Sequence, residues 1–197
     1  MPRPDQLQSH GETIEHMNSP IFIVGAPRSG TTLMRNMLNR HPAIAISRET
    51  EFYHYIYRRR RIFGSLSDLG NRKRLVKEYL STQRIQRMNL DLQALEQKLL
   101  EEGVTYEALF ASLLSFYARA HGKRRCGEKT PQHALFTEVL CRWYPDARII
   151  HILRDPRDVV ASLLRMPSAP NDVIGNARVW LRFNLAARRS RSAMNSS

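Results

Sequence analysis

Residues 21–40 combine the residue types and spacing that bind phosphate groups. Residues 21–25 form a short apolar run, residues 26–32 form a turn rich in proline, glycine and hydroxyl groups, and apolar residues recur at helical spacing from Leu33. A strand, a tight loop and a helix in this order leave unpaired backbone N–H groups at the helix N-terminus. The helix dipole favours negative charge at the same point. The sequence therefore predicts a phosphate site in this loop.

The side chains of the loop support the same prediction. Arg28 supplies a fixed positive charge that can bind two oxygens at once. The hydroxyls of Ser29, Thr31 and Thr32, on either side of Gly30, supply further hydrogen-bond donors. We therefore expect these five residues to surround a bound phosphate.

The loop differs at one position from the phosphate loop of nucleotide triphosphatases. That pattern requires a glycine, four residues, a second glycine, a lysine, and then a serine or threonine. Gly25 and Gly30 have the required separation, but Thr31 occupies the lysine position. ATP hydrolysis is therefore disfavoured, and a P-loop-type kinase or NTPase is an alternative that predicts magnesium-dependent ATP turnover.

The same loop resembles that of a different family. Residues 27–32, Pro-Arg-Ser-Gly-Thr-Thr, resemble the 5'-phosphosulfate loop of the sulfotransferases that use 3'-phosphoadenosine 5'-phosphosulfate (PAPS). Residues 33–42 and the pair 49–50 are most similar to the branch that holds the tyrosylprotein sulfotransferases and their bacterial relatives. The resemblance implies an α/β fold that is P-loop-like, with three α/β/α layers and a central parallel sheet. It also implies PAPS as co-substrate and no metal.

A second strand, loop and helix follow in the C-terminal half. Residues 148–153 form a mostly apolar strand, and Asp155 followed by Pro156 is a strong helix start. Arg154 ends the strand, and Ser162 lies eight residues later, two turns into the helix. The resemblance implies that this arginine and serine bind the ribose 3'-phosphate of PAPS. The alternative is a local ion pair between Arg154 and Asp155.

The resemblance also implies a reaction, the transfer of a sulfuryl group from PAPS to a hydroxyl or, less favourably, an amine. Glu49 is the expected general base, because an alcohol or phenol becomes more reactive as its proton is removed. The family's carboxylate likewise precedes a threonine, as Glu49 precedes Thr50. Glu51 and His54 are the alternative bases.

Positive charge is expected to stabilise the phosphosulfate during transfer. Lys129 lies in a Glu-Lys-Thr-Pro pattern, and by resemblance it approaches the sulfate and the bridging oxygen. Arg28 and Lys129 would together neutralise the phosphosulfate. Considered alone, Lys129 beside Glu128 is more typical of an ion pair at the surface.

The chain as a whole is strongly basic. It has 197 residues and a formal net charge of +13, which predicts attraction to polyanions. Basic runs such as 58–61 and 72–74 are most often solvated faces. The aromatic residues before 58–61 could also stack on bases, so a non-catalytic polyanion-binding or nucleic-acid-binding relic is a second alternative. No specific nucleic acid is expected.

A length of 197 residues is enough for one α/β domain, and 42% hydrophobic with 25% charged residues is ordinary for a globular protein. We predict a flexible arm over residues 1–19, the domain over 20–187 and a basic polar tail over 188–197. A helical insertion over about 52–121 is expected to shape an acceptor cleft. It begins with an amphipathic helix over 52–61.

The location and partners are predicted less specifically. The sequence contains no secretory signal, no run of the ~20 apolar residues that span a bilayer, and two cysteines without metal-ligand spacing. We therefore expect a cytoplasmic protein without a membrane span. The acceptor (peptide, glycan, lipid or small molecule) and the oligomeric state, a homo-oligomer included, are left open. Family members usually continue with a further strand and helices, so the chain is expected to be short at its C-terminal end.

Overall fold

A computed structural model describes residues 19–194 of the chain. Within these residues the strands are β1 (Ile21–Gly25), β2 (Ile44–Ser47), β3 (Arg125–Lys129) and β4 (Arg148–Ile152). The α-helices are α1 (Thr31–Asn39), α2 (Phe52–Tyr55), α3 (Leu69–Leu80), α4 (Gln83–Gln86), α5 (Leu92–Glu102), α6 (Tyr106–Ala120), α7 (Thr137–Trp143), α8 (Pro156–Leu163) and α9 (Val173–Met194). Two 3₁₀ helices, Tyr57–Phe63 and Pro131–Phe136, follow α2 and β3.

The four strands form one parallel sheet in the order β2-β3-β1-β4. Ile23 in β1 lies beside Lys129 on one side and Ile150 on the other. Ser47, at the end of β2, lies beside Glu128. Because the strands are parallel, the loops that follow their carboxyl ends lie along one edge of the sheet, where ligands bind in open α/β folds.

Burial on both faces explains the sequences of the strands. β1 is buried along its whole length, as is typical of a central parallel strand with an apolar run. The strands approach so closely that β3 requires a glycine: a Cβ atom at Gly127 would overlap the Ile21 carbonyl oxygen and the Ile46 side chain. This packing fixes the register that brings residues 128 and 129 to the edge of the sheet.

One face of the sheet packs against aromatic residues of the helical insertion and forms the main core. Phe52 stacks on Phe110 with ring centroids 4.8 Å apart, and Phe22 of β1 stacks on Phe110 at 6.0 Å. Tyr53 packs edge-on against the Phe110 ring at 5.6 Å. All four side chains are fully buried, and burial of each phenylalanine contributes about 2–3 kcal/mol to stability. The insertion is therefore part of the main core.

α1 covers the opposite face of the sheet. Ile21, Ile23 and Ile46 are buried there, and Met34 and Leu38 of α1 pack against them. Helices thus lie on both faces of a parallel sheet. The predicted fold class, α/β with three layers around a central parallel sheet and a helical insertion, is confirmed.

The aromatic and basic stretch after β2 differs from its prediction as one amphipathic helix. α2 ends at Tyr55, and a 3₁₀ helix continues to Phe63. Phe52, Tyr53 and Phe63 are fully buried, whereas the arginines at 58–61 are exposed. The tighter 3₁₀ turn thus allows Phe63 to reach the core. Phe52 and Tyr53 are not available to stack on bases.

The C-terminal helix is longer than its sequence indicates. α9 extends to Met194 and so includes most of the segment predicted as a basic polar tail, 188–197. Phe183 and Ala187 are both buried in the main core and anchor the helix up to that point. Residues 1–18 of the predicted arm and residues 195–197 lie outside the described residues. Across residues 19–194, every helix is too short or too polar to cross a bilayer.

Candidate active site

The loop after β1 has a backbone shape that suits an anion. The Ser29 amide donates to the Ala26 carbonyl at 3.2 Å, and Arg28 and Gly30 have positive φ angles of 69° and 98°. Gly30 is the N-cap of α1, and its lack of a side chain leaves the helix without a side-chain cap. The Ser29 hydroxyl is buried with no hydrogen-bond partner among residues 19–194. The first N–H groups of α1 are therefore left for an external acceptor.

A cavity of about 230 Å³ lies against this loop. It is lined by Arg28, Gly30, Thr31, Thr32 and Arg154. A helix N-terminus and hydroxyl groups form one part of its wall, and two guanidinium groups form another. This lining suits a ligand with several negative charges.

The loop after β4 contributes the second guanidinium group. Arg154 Nη1 donates to the Arg28 carbonyl at 3.4 Å, and Arg28 Nε donates to Ser162 Oγ of α8 at 2.9 Å. Arg154 also pairs with Asp158, with Nη2 and Oδ2 3.2 Å apart. The structure therefore brings together the residues that the sequence places in two separate anion-binding units.

The local ion pair considered for Arg154 and Asp155 does not form. Asp155 caps α8 by accepting from the Arg157 amide at 2.8 Å, and it pairs with the Arg157 side chain at 2.7 Å. Hydrogen bonds from the Arg157 side chain and backbone lower the pKa of Asp155 to about 2. Asp155 is thus engaged at the helix start, and Arg154 contacts Asp158 and the cavity instead.

Lys129 connects the phosphate loop to the loop after β2. Its Nζ atom donates to Thr32 Oγ1 at 3.2 Å and to Glu49 Oε1. The Lys129 side chain is 3% exposed, whereas that of Glu49 is 32% exposed. A buried ammonium is therefore paired with a carboxylate that incoming molecules can still reach. The surface ion pair considered for Lys129 and Glu128 is not formed.

Glu128 is a buried residue whose place in the site the sequence did not reveal. Its Oε1 atom accepts from the Thr50 amide at 2.9 Å, from the Thr50 hydroxyl at 2.8 Å, and from the Thr130 hydroxyl. His133 Nδ1 lies 2.9 Å from Oε2. The Glu-Lys-Thr-Pro pattern could have indicated this position. Neighbouring residues of a strand point to opposite faces, and because helices cover both faces of this sheet, Glu128 is buried as well as Lys129.

The surroundings of Glu128 keep it ionised. Burial alone would raise the pKa of this carboxyl. The interaction with His133, with hydrogen bonds from Thr130 and Thr50, outweighs burial and lowers the pKa below its ordinary value. The loop that carries Glu49 therefore contacts a negatively charged side chain through Thr50.

The alternative bases have other surroundings. Glu51 is mostly buried, and its Oε1 atom lies 2.6 Å from Arg84 Nη2. His54 is exposed beside Tyr55, with ring centroids 5.1 Å apart. Of these three candidate bases, Glu49 is the one that contacts Lys129.

A second cavity, of about 310 Å³, includes Thr50 in its wall. The rest of its lining belongs to the helical insertion: Tyr55, Tyr79, Thr82, Gln83, Arg84 and Arg87. Thr50 follows the candidate base Glu49 directly in the chain, although Glu49 is not among the residues that line this cavity. The insertion thus lines a cleft at the carboxyl edge of the sheet.

The arginines at 58–61 lie on exposed surface and line neither cavity. Arg59 pairs with Glu78 at 2.8 Å, and the Arg60 guanidinium lies 4.6 Å from the centre of the Tyr57 ring. These contacts are typical of a solvated basic face. Over residues 19–194, no three His, Cys, Asp or Glu side chains are grouped so that they could hold a metal ion.

Known sequences resemble most of the chain. A family model described as "Sulfotransferase family" matches residues 20–194. Protein-tyrosine sulfotransferase 1 of Rattus norvegicus is 32% identical over 156 residues, which cover 76% of this chain and 35% of that protein. Nodulation protein NoeE of Sinorhizobium fredii is 30% identical over 149 residues, covering 72% of this chain and 30% of that protein. The chain thus spans about a third of the length of these relatives.

Solved structures share the fold. The sulfotransferase domain from the curacin biosynthetic pathway superposes with a TM-score of 0.55 at 24% identity, covering 88% of this chain and 62% of that chain. The sulfotransferase domain from the Synechococcus PCC 7002 olefin synthase gives a TM-score of 0.54 at 21% identity, covering 86% of this chain and 60% of that chain. At these identities the likeness supports the architecture alone.

Proposed function

The chain belongs to the sulfotransferase family, and we propose that it moves a sulfuryl group from PAPS to an acceptor hydroxyl, releasing adenosine 3',5'-bisphosphate. The observation that carries the proposal is the contact of Lys129 with both Thr32 of the phosphate loop and Glu49 of the next loop. Transfer to a hydroxyl requires a cation at the leaving oxygen and a base at the attacking oxygen. A cytoplasmic location is part of the same proposal.

The donor's phosphosulfate fits the cavity against the loop after β1. Gly30 and the α1 N-terminus offer backbone N–H groups, and Thr31 and Thr32 add hydroxyls. The Ser29 hydroxyl, buried without a partner among the described residues, is the kind of group that an anion oxygen satisfies. Arg28 supplies positive charge beside them.

The 3'-phosphate of the donor would bind where the two loops meet. Arg154 lines the same cavity, and Ser162 accepts a hydrogen bond from Arg28 at 2.9 Å. A ligand with two separate anionic groups can therefore contact both loops at once. This arrangement favours a nucleotide with a 3'-phosphate over one without.

Positioning and charge stabilisation supply the catalysis in this proposal. The acceptor oxygen attacks sulfur in line with the departing phosphate oxygen, so one S–O bond forms as the other breaks. Glu49 takes the proton of the acceptor hydroxyl, and Lys129 stabilises the charge on the leaving oxygen. The Lys129 contact also holds the Glu49 carboxylate in a fixed orientation. A sulfuryl group carries less charge than a phosphoryl group, so the reaction needs no metal ion.

The acceptor would enter through the second cavity. Its wall includes Thr50, the residue after Glu49, so a hydroxyl placed there lies near the base. Tyr55 and Tyr79 provide aromatic surface, and Arg84 and Arg87 provide positive charge. Relatives named as protein-tyrosine sulfotransferases make a phenolic hydroxyl on a peptide the first acceptor to test.

The assay incubates the chain with radiolabelled PAPS and separate peptide, glycan, lipid and small-molecule acceptors. We expect one sulfated product for each adenosine 3',5'-bisphosphate released. Glu49→Gln should lower kcat by about 10²–10⁴-fold and leave the affinity for the bisphosphate nearly unchanged.

Glu51→Gln is the matched variant, because it neutralises a nearby carboxylate that pairs with Arg84 instead of Lys129. A larger loss in Glu51→Gln than in Glu49→Gln would assign the base to Glu51. Loss of turnover and bisphosphate affinity together in Glu49→Gln would remove the base assignment. Absence of labelled product with every acceptor class would contradict the proposed function.

A further inference from the structure

Two consecutive residues of β3 hold two consecutive residues of the loop after β2. Lys129 contacts the Glu49 side chain, and Glu128 contacts both the amide and the hydroxyl of Thr50. Neighbouring residues of a strand point to opposite faces, so the two contacts approach the loop from opposite sides of the sheet. The pair 49–50 is thus fixed at two points by one strand.

The contacts of Glu128 extend beyond Thr50. The Thr130 hydroxyl donates to Glu128 and lies 3.4 Å from the Glu51 amide, which donates to it. The Thr50 hydroxyl, besides donating to Glu128, accepts from the Phe52 amide at 3.2 Å. Glu128 therefore anchors the backbone from Thr50 to the start of α2.

The two carboxylate oxygens of Glu128 have different neighbours, and Oε1 is the one that contacts this loop. His133 lies on the side of Oε2 and supplies the compensating contact at 2.9 Å. Tyr53 and Tyr79 also face it, and burial first, with the Glu128 charge in addition, raises the pKa of both phenols, so they remain neutral. The hydrogen bonds to Oε1 come from Thr50 and Thr130.

We propose that Glu128 is a positioning residue for sulfuryl transfer: by fixing Thr50 it sets the place of the Glu49 carboxylate relative to Lys129. This inference rests on the proposed function. A buried carboxylate costs free energy that apolar packing at the same position would avoid. Glu128 makes hydrogen bonds with Thr50, in the segment that carries the base. A displacement of about 1 Å in a reacting group lowers rates by about 10²-fold.

The first variant is Glu128→Gln, which keeps the shape of the side chain and removes its charge. We expect kcat to fall about 10- to 100-fold while the dissociation constant of adenosine 3',5'-bisphosphate changes less than about twofold. Hydrogen exchange at the Thr50 amide should become faster than in the wild type. This second readout does not depend on turnover.

Tyr144→Phe is the control for the loss of a buried hydrogen bond elsewhere. The Tyr144 hydroxyl donates to the Glu107 carbonyl at 2.9 Å, and neither residue lines either of the two cavities described above. This variant should lower Tm but change neither kcat nor exchange at Thr50. Equal kcat losses in Tyr144→Phe and Glu128→Gln would reduce the role of Glu128 to stability and overturn the proposal.

Thr50→Val is the second variant, and it removes the hydroxyl that donates to Glu128 and accepts from the Phe52 amide. If the two residues act as a unit, the double variant should have a kcat close to that of Glu128→Gln alone. Additive losses would overturn the proposal, as would unchanged kcat or unchanged Thr50 exchange in Glu128→Gln. If the wild type transfers no sulfuryl group, the proposed function fails, and faster exchange at Thr50 still decides whether Glu128 holds the loop.

Discussion

The two anion-binding loops lie side by side at the edge of the sheet but are built differently. The loop after β1 leads into a helix whose N-cap is Gly30 and which no side chain caps. The loop after β4 leads into a helix that Asp155 caps by accepting from the Arg157 amide. The first loop can therefore offer its backbone to a ligand, whereas the second unit offers mainly the side chains of Arg154 in its loop and Ser162 in α8.

The strands that support the two loops differ in the same sense. β1 is one of the two inner strands and is fully buried, while β4 lies at the end of the sheet and is half-buried. The first loop is thus held by packing on both sides, and its ligand contacts depend on a fixed backbone shape. The ligand contacts of the second loop depend on side chains, so a single substitution there can alter which ligand is bound. Phosphate binding in general should depend on the first loop, and recognition of the 3'-phosphate should depend on the second.

The largest expected effect comes from breaking the backbone of the first loop. Gly30 has a φ of 98°, and no neighbouring atom lies within 4 Å of a Cβ placed there, so Gly30→Val introduces backbone strain while its Cβ meets no neighbour. We expect the affinities for adenosine 3',5'-bisphosphate and for ADP to fall together, by at least about tenfold. Calorimetric titration measures both.

Gly122→Val is the matched control for strain, because Gly122 also has a positive φ, 64°, with open space around its Cβ position and no place in either cavity. It should lower Tm and leave both affinities unchanged. Retention of bisphosphate affinity in Gly30→Val would show that the first loop does not bind the ligand through its backbone.

The next largest effect should be a loss of affinity for adenosine 3',5'-bisphosphate but not for ADP. Arg154→Ala removes a cavity-lining guanidinium from the second loop only, so bisphosphate affinity should fall about 10- to 100-fold and ADP affinity should stay within about twofold. Arg157→Ala serves as the control: its side chain is 88% exposed, pairs with Asp155 and does not line the cavity. Parallel losses in the two variants would attribute the effect to net charge instead of a 3'-phosphate contact.

Ser162→Ala should produce a smaller loss in the same direction. It removes the hydroxyl that accepts from Arg28 at 2.9 Å, and a single neutral hydrogen-bonding group changes affinity by about 2- to 10-fold. Titration with the bisphosphate measures this loss, and Ser162→Thr, which keeps a hydroxyl, should largely restore the affinity. An unchanged affinity in Ser162→Ala would remove this residue from the 3'-phosphate site.

The smallest expected effects are in the pH dependence of stability. The Glu128 pKa is lowered from 4.5, so this carboxylate stabilises the fold above pH 4.5 and loses that contribution as the pH falls further. Asp155 follows the same sign with a pKa lowered from 3.8 to about 2, but it is exposed. Thermal unfolding in acid should show a salt-resistant change for Glu128→Gln and a weaker, salt-sensitive change for Asp155→Asn. Equal salt sensitivity in the two variants would contradict the difference in burial.

Local patterns made much of this predictable from the sequence. The breaker-rich turn before α1, and the Asp155-Pro156 helix start, each follow from residues close together in the chain. The resemblance to the sulfotransferases implied the fold class, and the two strand, loop and helix units agree with it. α9 extends beyond its apolar residues, and its polar end was therefore predicted as a tail instead of helix.

Contacts set by the sheet register could not be predicted in the same way. The bond from Thr50 to Glu128 joins segments 78 residues apart, and it exists because Ser47 and Glu128 are paired in the sheet. The bond from Arg28 to Ser162 joins residues 134 apart and depends on β1 lying beside β4. No local pattern encodes either pairing, so the sequence did not predict the buried position of Glu128 or its contact with Thr50.

The most direct test is calorimetric titration of the wild-type chain with adenosine 3',5'-bisphosphate and, in parallel, with ADP. The central claim is that the two loops together bind a nucleotide through its 5'- and 3'-phosphates. It predicts that the bisphosphate binds at least about tenfold more tightly than ADP, because a charge-assisted contact is added at Arg154. Equal affinities for the two nucleotides would contradict the claim.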